Sequence, residues 1–318
     1  MQNGYGDSSV LRYADADKPV VGKSDVLIRV GATSLNIGDW HLMTGLPLVA
    51  RAALGRRAPR SRIRGMDMAG TVVETGADVT GFAVGDGVFG VADGGLAEFA
   101  RASATSVVST GPDLGFERAS ALPTSGATAL HALREAGGVQ AGQRVLVIGA
   151  AGGVGIYAVQ LAKAFGALVT GVCSTAKTGF VQSLGASRVI DYTRDDFAAG
   201  PERYDLVIDM VSDRPVAQLR SVLTARGTVV IVGGEGGSRF LGGLTRPLGA
   251  SASSPLRSQK ARSLISVTRA SDLQTLADLV ESQKIAPVID STFPLSEGVE
   301  AMRRLESGAA VGKIVVVP

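Results

Sequence analysis

The stretch QRVLVIGAAGGVGIYAVQLAKAFGALVTGVCSTAK, Gln143 to Lys177, decides the fold. An apolar, strand-like run, RVLVIGA, ends in a turn carrying Gly149, Gly152, Gly153 and Gly155, and a helical run, VGIYAVQLAKAFG, begins at once. Glycine lets the backbone approach a ligand closely, and a helix N-terminus offers unpaired N–H groups and the positive end of its dipole. The turn therefore reads as a pyrophosphate seat. Ala150, Gly152 and Gly155 occupy the i, i+2 and i+5 positions, so alanine replaces the first glycine of the dinucleotide pattern, and Gly153 and Val154 complete the turn. No GK[ST] follows, which excludes a nucleoside-triphosphate loop. A ligand-free strand-to-helix turn is the alternative, and the ordered strand, turn, helix and second strand argue against it.

The end of that second strand says which dinucleotide. An NAD site usually has an acid there to bind the ribose 2′-hydroxyl. This chain instead has Cys173, then Ser174, Thr175, Ala176 and Lys177. Two hydroxyls and an ammonium suit a 2′-phosphate, so the expected cofactor is NADPH. Tyr192, closing SRVIDY, is a candidate contact at the adenosine end. A solvated helix-start lysine is the less favoured alternative for Lys177.

Outward from this stretch, RVLVIGA, ALVTGVC, SRVIDY, YDLVIDM and GTVVIVGG have the length and β-branched content of buried parallel strands, with SLISVT as a sixth. Helical segments alternate with them, which implies right-handed crossovers and an α/β, Rossmann-like doubly wound parallel sheet. The first hundred residues are short period-two runs between Gly and Asp turns, expected to form a mainly antiparallel, partly barrel-like β unit. After the helix SDLQTLADLVESQ, the closing VIDSTFPLSEGVEAMRRLESGAAVGKIVVVP returns to β-type turns and is expected to pack on that first unit. The expected domains are 1–110 with 269–318, and 111–268.

Composition narrows the function. With 45% hydrophobic and 19% charged residues over 318 positions, the chain is an ordinary globular protein and not a disordered one. The net charge of +3 is too small and too scattered to indicate nucleic acid. Cys173 is the one cysteine and His41 and His131 the two histidines, so neither a disulfide framework nor a cysteine-rich zinc module can form. No apolar run approaches the roughly 20 residues of a membrane span, and MQNGYGDSSVLRY has no signal-type apolar core. A cytoplasmic protein without a membrane partner is expected.

GAAGGVGIYAVQLAKAFGA, SLGASRVIDY, GDGVFG, ALPTSGATALHAL and the closing GKIVVV together resemble the medium-chain dehydrogenase/reductase superfamily, in its zinc-free quinone oxidoreductase branch. The resemblance spans nearly the whole chain. It implies a GroES-like catalytic domain built from the first unit and the tail, with the cofactor cleft between it and the Rossmann-like domain. It implies cofactor contacts at Asn36, Thr128, the glycine turn, Ser174, Lys177, Tyr192, Gly233, Gly234 and Lys313, and a homodimer. Zinc members carry a cysteine where this chain has Asn36 and a GHE segment where it has Gly65, Met66 and Asp67, so no metal site is expected.

With a nicotinamide implied, the reaction is hydride transfer. A quinone or an α,β-unsaturated carbonyl delocalises the incoming charge onto oxygen and asks little of the protein. In SLNIGDWHLMTG, Asn36 could donate to substrate or ribose, Asp39 could cap the following turn, and His41 could deliver a proton, although a hydrogen-bonded turn histidine is the plainer reading. Asp67 stands where the family has an acid. The segment Arg51 to Gly65 holds six arginines and no acid, and reads as a solvated loop or as a rim attracting acidic or phenolate substrates. A Gly- and Ser-rich segment from Gly233 to Gln259, with Phe240 and Leu241, reads as a lid. The expected function is NADPH-dependent reduction of quinones or enones. The rivals are a carbonyl reductase or natural-product tailoring enzyme, and a non-catalytic NADPH-binding protein.

Overall fold

The alternating and the continuous apolar runs form two separate sheets in a computed structural model of the chain, which describes residues 1–233 and 258–318. One unit comprises Met1–Ala127, Val267–Ser282 and Pro287–Pro318, and the other Thr128–Ser266 and Gln283–Ala286.

The first unit begins with β1 (Asp25–Leu35), β2 (Asp67–Thr75), β3 (Gly87–Val91), β4 (Phe99–Ser103) and β5 (Val107–Ser109). β1 is its spine. Along one side it pairs antiparallel with β2 from Val26 to Ser34, and along the other with β4 from Asp25 to Arg29. The register shifts between Val30 and Ala32, a bulge of the kind that bends a strand into a barrel wall. Val26, Ile28, Val30, Met68, Val72 and Val88 form its core. This unit runs past position 110 to Ala127 because the helix Phe116–Ser120 packs on β1 and β2. Gly31 lies under the Phe116 ring, where a Cβ would stand 2.3 Å from a ring carbon.

The second unit contains β6 (Arg144–Ile148), β7 (Leu168–Cys173), β8 (Arg188–Asp191), β9 (Tyr204–Asp209), β10 (Leu223–Ile231) and β11 (Lys260–Ser263). Their order is β11-β10-β9-β6-β7-β8, and every pairing is parallel. Strand order reverses between β6 and β9, so the turn after β6 emerges at the switch point where open α/β sheets bind ligands. The helices Gly155–Ala164, Thr178–Ser183 and Val216–Ser221 follow β6, β7 and β9. The sixth strand is not the expected Ser263–Thr268. It is Lys260–Ser263, and Ile265 and Val267 beyond it are 89% and 71% exposed. An edge strand is bonded on one side only and here buries Ala261 alone, so its position follows the register with Thr228–Ile231 and not an apolar pattern.

The tail returns to the first unit as β12 (Ile289–Pro294) and β13 (Lys313–Val317), giving the order β12-β13-β1-β2-β3-β5 with β4 also on β1. β13 runs antiparallel to β1 over Thr33–Leu35. β12 and β13 are parallel and so need a crossover, which the helix Gly298–Glu306 supplies. Sequence reading expected turns there. Val299, Met302 and Leu305 have helical spacing and pack with Leu35, Ile314 and Val316. Among the described residues, no helix is long and apolar enough to cross a membrane.

Candidate functional site

In the second unit, β6 delivers the glycine turn. Gly149 has φ +86°, and the Gly149 and Ala150 N–H groups donate to Val172 O, which ties the turn to β7. The glycines have different jobs. A Cβ on Gly155 would stand 2.1 Å from Gly149 O and 2.7 Å from the Ala150 carbonyl carbon, so the turn itself requires that glycine. A Cβ on Gly152 would meet nothing closer than Gly149 O at 3.5 Å, and the residue is exposed. Internal packing leaves that space open, which fits a ligand lying against the backbone. The Gly153 and Val154 N–H groups have no backbone partner among the described residues, as expected of donors aimed at an anion ahead of the helix Gly155–Ala164. Ala150 is buried.

β7 ends at Cys173, 4% exposed, whose thiol is pushed up by burial. Ser174 and Lys177 follow, both half-buried, with Lys177 closing a short turn. Tyr192 is 61% exposed, its N–H bonded to Cys173 O. Sequence reading missed Asp191. The parallel register sets it opposite Cys173, so a carboxylate does stand beside this strand end, one strand over. It accepts from Thr175 Oγ1 at 2.5 Å, Thr193 Oγ1 at 2.7 Å and Thr193 N at 3.0 Å. These bonds, that from the Thr175 hydroxyl foremost, hold it below the usual carboxylate range. Thr128 is half-buried on the helix Pro123–His131. Gly233 follows β10, where a Cβ would stand 2.1 Å from Met210 O. Gly234, Phe240, Leu241 and most of the expected lid lie outside the described residues.

In the first unit, the order β13-β1-β2 brings three polar groups together. Asn36 directly follows β1 as the cap of the helix Ile37–Thr44, Lys313 starts β13 and Asp67 starts β2; they are 6%, 1% and 0% exposed. Lys313 Nζ donates to Leu35 O at 2.9 Å, Asn36 Oδ1 at 2.5 Å and Ser125 Oγ at 3.1 Å. Asn36 Nδ2 donates to Asp67 Oδ2 at 2.9 Å. An ammonium only donates and a carboxylate only accepts, so this pairing dictates which way the amide points. Asn36 is left with one further N–H, which lies 3.5 Å from Ser34 O. Asp67 also accepts from Thr124 N and, at 2.5 Å, from Thr124 Oγ1. Burial raises its pKa, opposed by Lys313. Thr124 and Ser125, in the first turn of the helix Pro123–His131, carried no signal separating them from other hydroxyls.

Asp39 is fully buried in the helix Ile37–Thr44. It accepts from Asn36 N at 2.9 Å and Gly65 N at 3.0 Å, and burial pushes its pKa up to about 6. His41 is half-buried, its Nδ1 2.9 Å from Leu46 O and its ring 5.0 Å from the Trp40 ring. A carbonyl cannot donate, so Nδ1 carries the proton and Nε2 is the atom left to exchange one. At the positions of the zinc members' cysteine and GHE segment the chain thus has the Asn36 amide, held by Lys313, the Met66 thioether, and the Asp67 carboxylate, held by Thr124, a set that does not fit a zinc ion.

Two family models match the chain: an alcohol dehydrogenase GroES-like domain over residues 22–113 and a zinc-binding dehydrogenase over residues 184–316. The chain is 37% identical to the chloroplastic quinone-oxidoreductase QR1 of Triphysaria versicolor, covering 99% of this chain and 97% of that one. It is 32% identical to the 2-methylene-furan-3-one reductase of Solanum lycopersicum, covering 99% and 77%. Among solved structures, the quinone oxidoreductase of Coxiella burnetii superposes with a TM-score of 0.88 at 32% identity, covering 100% and 98%. The Rossmann-like sheet, the GroES-like unit and these likenesses define a pyridine-nucleotide-dependent oxidoreductase. The chain belongs to the quinone oxidoreductase branch of the medium-chain dehydrogenase/reductase superfamily.

Proposed function

We propose that the protein is an NADPH-dependent reductase of quinones or α,β-unsaturated carbonyl compounds, acting by hydride transfer without a metal. The observation that carries the reading is the end of β7, where Ser174 and Lys177 follow Cys173 on the same sheet that carries the glycine turn. In this reading the Gly153 and Val154 N–H groups hold the pyrophosphate, and Ser174 and Lys177 hold the 2′-phosphate. NADPH, when bound, supplies the hydride. Lys313, Ser125 and Asp67 hold Asn36 in one orientation, so that it orients the reactants. In the same reading His41 Nε2 is the group that passes a proton to the oxygen that gains charge.

Freedom from metal rests on the donor chemistry around Asn36 and Asp67. The activated-alkene side of the substrate range is favoured by the likeness to a furanone reductase, the quinone side by the likeness to quinone oxidoreductases. Cytoplasmic residence and a homodimer belong to the same proposal. β11 is an edge strand of the described sheet with Ile265 exposed just beyond it, a place for a second copy to pair.

The test is NADPH oxidation with a panel of small quinones and enones after exhaustive chelation. Turnover is expected to survive chelation, and ethanol is expected to be a poor substrate. Activity that disappears on chelation and returns with zinc refutes the metal-free mechanism, and NADPH binding without turnover on any acceptor leaves a non-catalytic binding protein.

A further inference from the structure

The segment between Leu46 and Arg64 leaves the polar network and comes back to it. His41 Nδ1 donates to Leu46 O at its start, and Gly65 N donates to Asp39 Oδ1 at its end, so both ends are rooted on the helix Ile37–Thr44. Two of its arginines serve the fold: Arg51 donates to Gly45 O and Thr44 O with its guanidinium over the Tyr5 ring, and Arg64 is buried. Arg56, Arg57, Arg60 and Arg62 are exposed, and among the described residues none forms an ion pair with a carboxylate. The Arg62 guanidinium donates to the Asn3 amide oxygen. The bond from Arg60 N to Leu54 O, 2.9 Å, closes a small loop that keeps the backbones of Arg56, Arg57 and Arg60 within roughly 10 Å of one another. Beside them the chain is apolar: Val49 is 41% exposed, and Ala52 and Ala53 are exposed.

We propose that this loop, Leu46–Arg64, is the surface by which the protein adsorbs to an anionic lipid bilayer. Charge complementarity supports it: four exposed arginines without a carboxylate partner are each drawn to an anionic surface by about 1 kcal/mol, and the exposed Val49, Ala52 and Ala53 beside them carry no charge to oppose it. A single-stranded nucleic-acid surface would be expected to add stacking aromatics, and residues 46–64 contain none. The expectation of no membrane partner came from the missing span, and adsorption requires no span. The proposal holds whichever electron acceptor the protein uses.

The experiment is sedimentation of the full chain with vesicles of phosphatidylcholine, with and without phosphatidylglycerol. Binding is expected only with the anionic lipid, and is expected to be lost in high salt. Combined Arg56→Ser, Arg57→Ser, Arg60→Ser and Arg62→Ser should lower partitioning by about tenfold or more, while turnover of a soluble uncharged quinone is retained. The pair Arg56→Ser and Arg57→Ser alone should give an intermediate loss, which guards against misfolding of the fourfold variant. Equal binding to neutral vesicles, no binding to anionic ones, or undiminished binding by these variants overturns the proposal. So does a variant that keeps vesicle binding and loses affinity only for a carboxylated quinone, since that outcome assigns the arginines to substrate attraction.

Discussion

Lys313 Nζ lies 2.5 Å from Asn36 Oδ1 and 3.9 Å from Asp67 Oδ2, a buried ammonium joining the start of β13 to the starts of a helix and of β2. Burial lowers its pKa, and the nearby Asp67 and Asp39 oppose that. Removing one partner of a buried pair is far more damaging than replacing both, because the charge left behind has neither water nor counter-ion. Lys313→Met is therefore expected to cost about 3–5 kcal/mol of stability in urea unfolding. Lys313→Met combined with Asp67→Asn should recover a large part of that loss. Two losses that simply add would show that the pair is not coupled.

The parts legible in the sequence were local ones. The glycine turn, the helix after it and the SLN segment each lie within a dozen or so positions, so periodicity and turn chemistry exposed them. Lys313 and Asn36 are 277 positions apart and meet only because β13 pairs with β1. Asp191 was visible as a residue, but its place opposite Cys173 is a fact of parallel register. The sixth strand was misplaced because Lys260–Ser263 is an edge with one buried side chain, and Leu264 to Val267 offered the stronger apolar run.

The two critical turn glycines should fail differently. Gly152→Val is expected to leave the thermal midpoint close to native, since its side chain enters open space, and to abolish NADPH binding in calorimetry. Gly155→Val drives a side chain into Gly149 O and the Ala150 backbone, and should destabilise the fold itself. Retained nucleotide binding by Gly152→Val would place the dinucleotide elsewhere.

Asp39 should give stability a pH slope of definite sign. Its folded pKa of about 6 is above its value in the unfolded chain, so the folded protein binds the extra proton in between. Its contribution is fully present below about pH 4 and is lost as the pH rises to about 6, by at most roughly 3 kcal/mol. Asp39→Asn lacks this group, so the stability of the native protein relative to the variant should fall across that window and level off above it. Urea unfolding at several pH values measures the difference, and a constant difference would mean that Asp39 does not titrate there.

Lys177 and Asp191 should pull cofactor preference in opposite directions. Lys177→Ala removes a charged hydrogen bond to a 2′-phosphate and should weaken NADPH by roughly 1–3 kcal/mol while NADH changes little. Asp191 is kept ionised by Thr175 and Thr193, and it flanks the same strand end. A carboxylate there repels a 2′-phosphate, as an acid at a strand end does in NAD enzymes. Asp191→Asn should therefore raise the ratio of kcat/KM for NADPH over NADH several-fold and retain most of the Thr175 and Thr193 contacts. Paired measurements with both cofactors decide the matter. A ratio that is unchanged by Lys177→Ala, or that falls with Asp191→Asn, would mean that the 2′-phosphate is not bound at the end of β7.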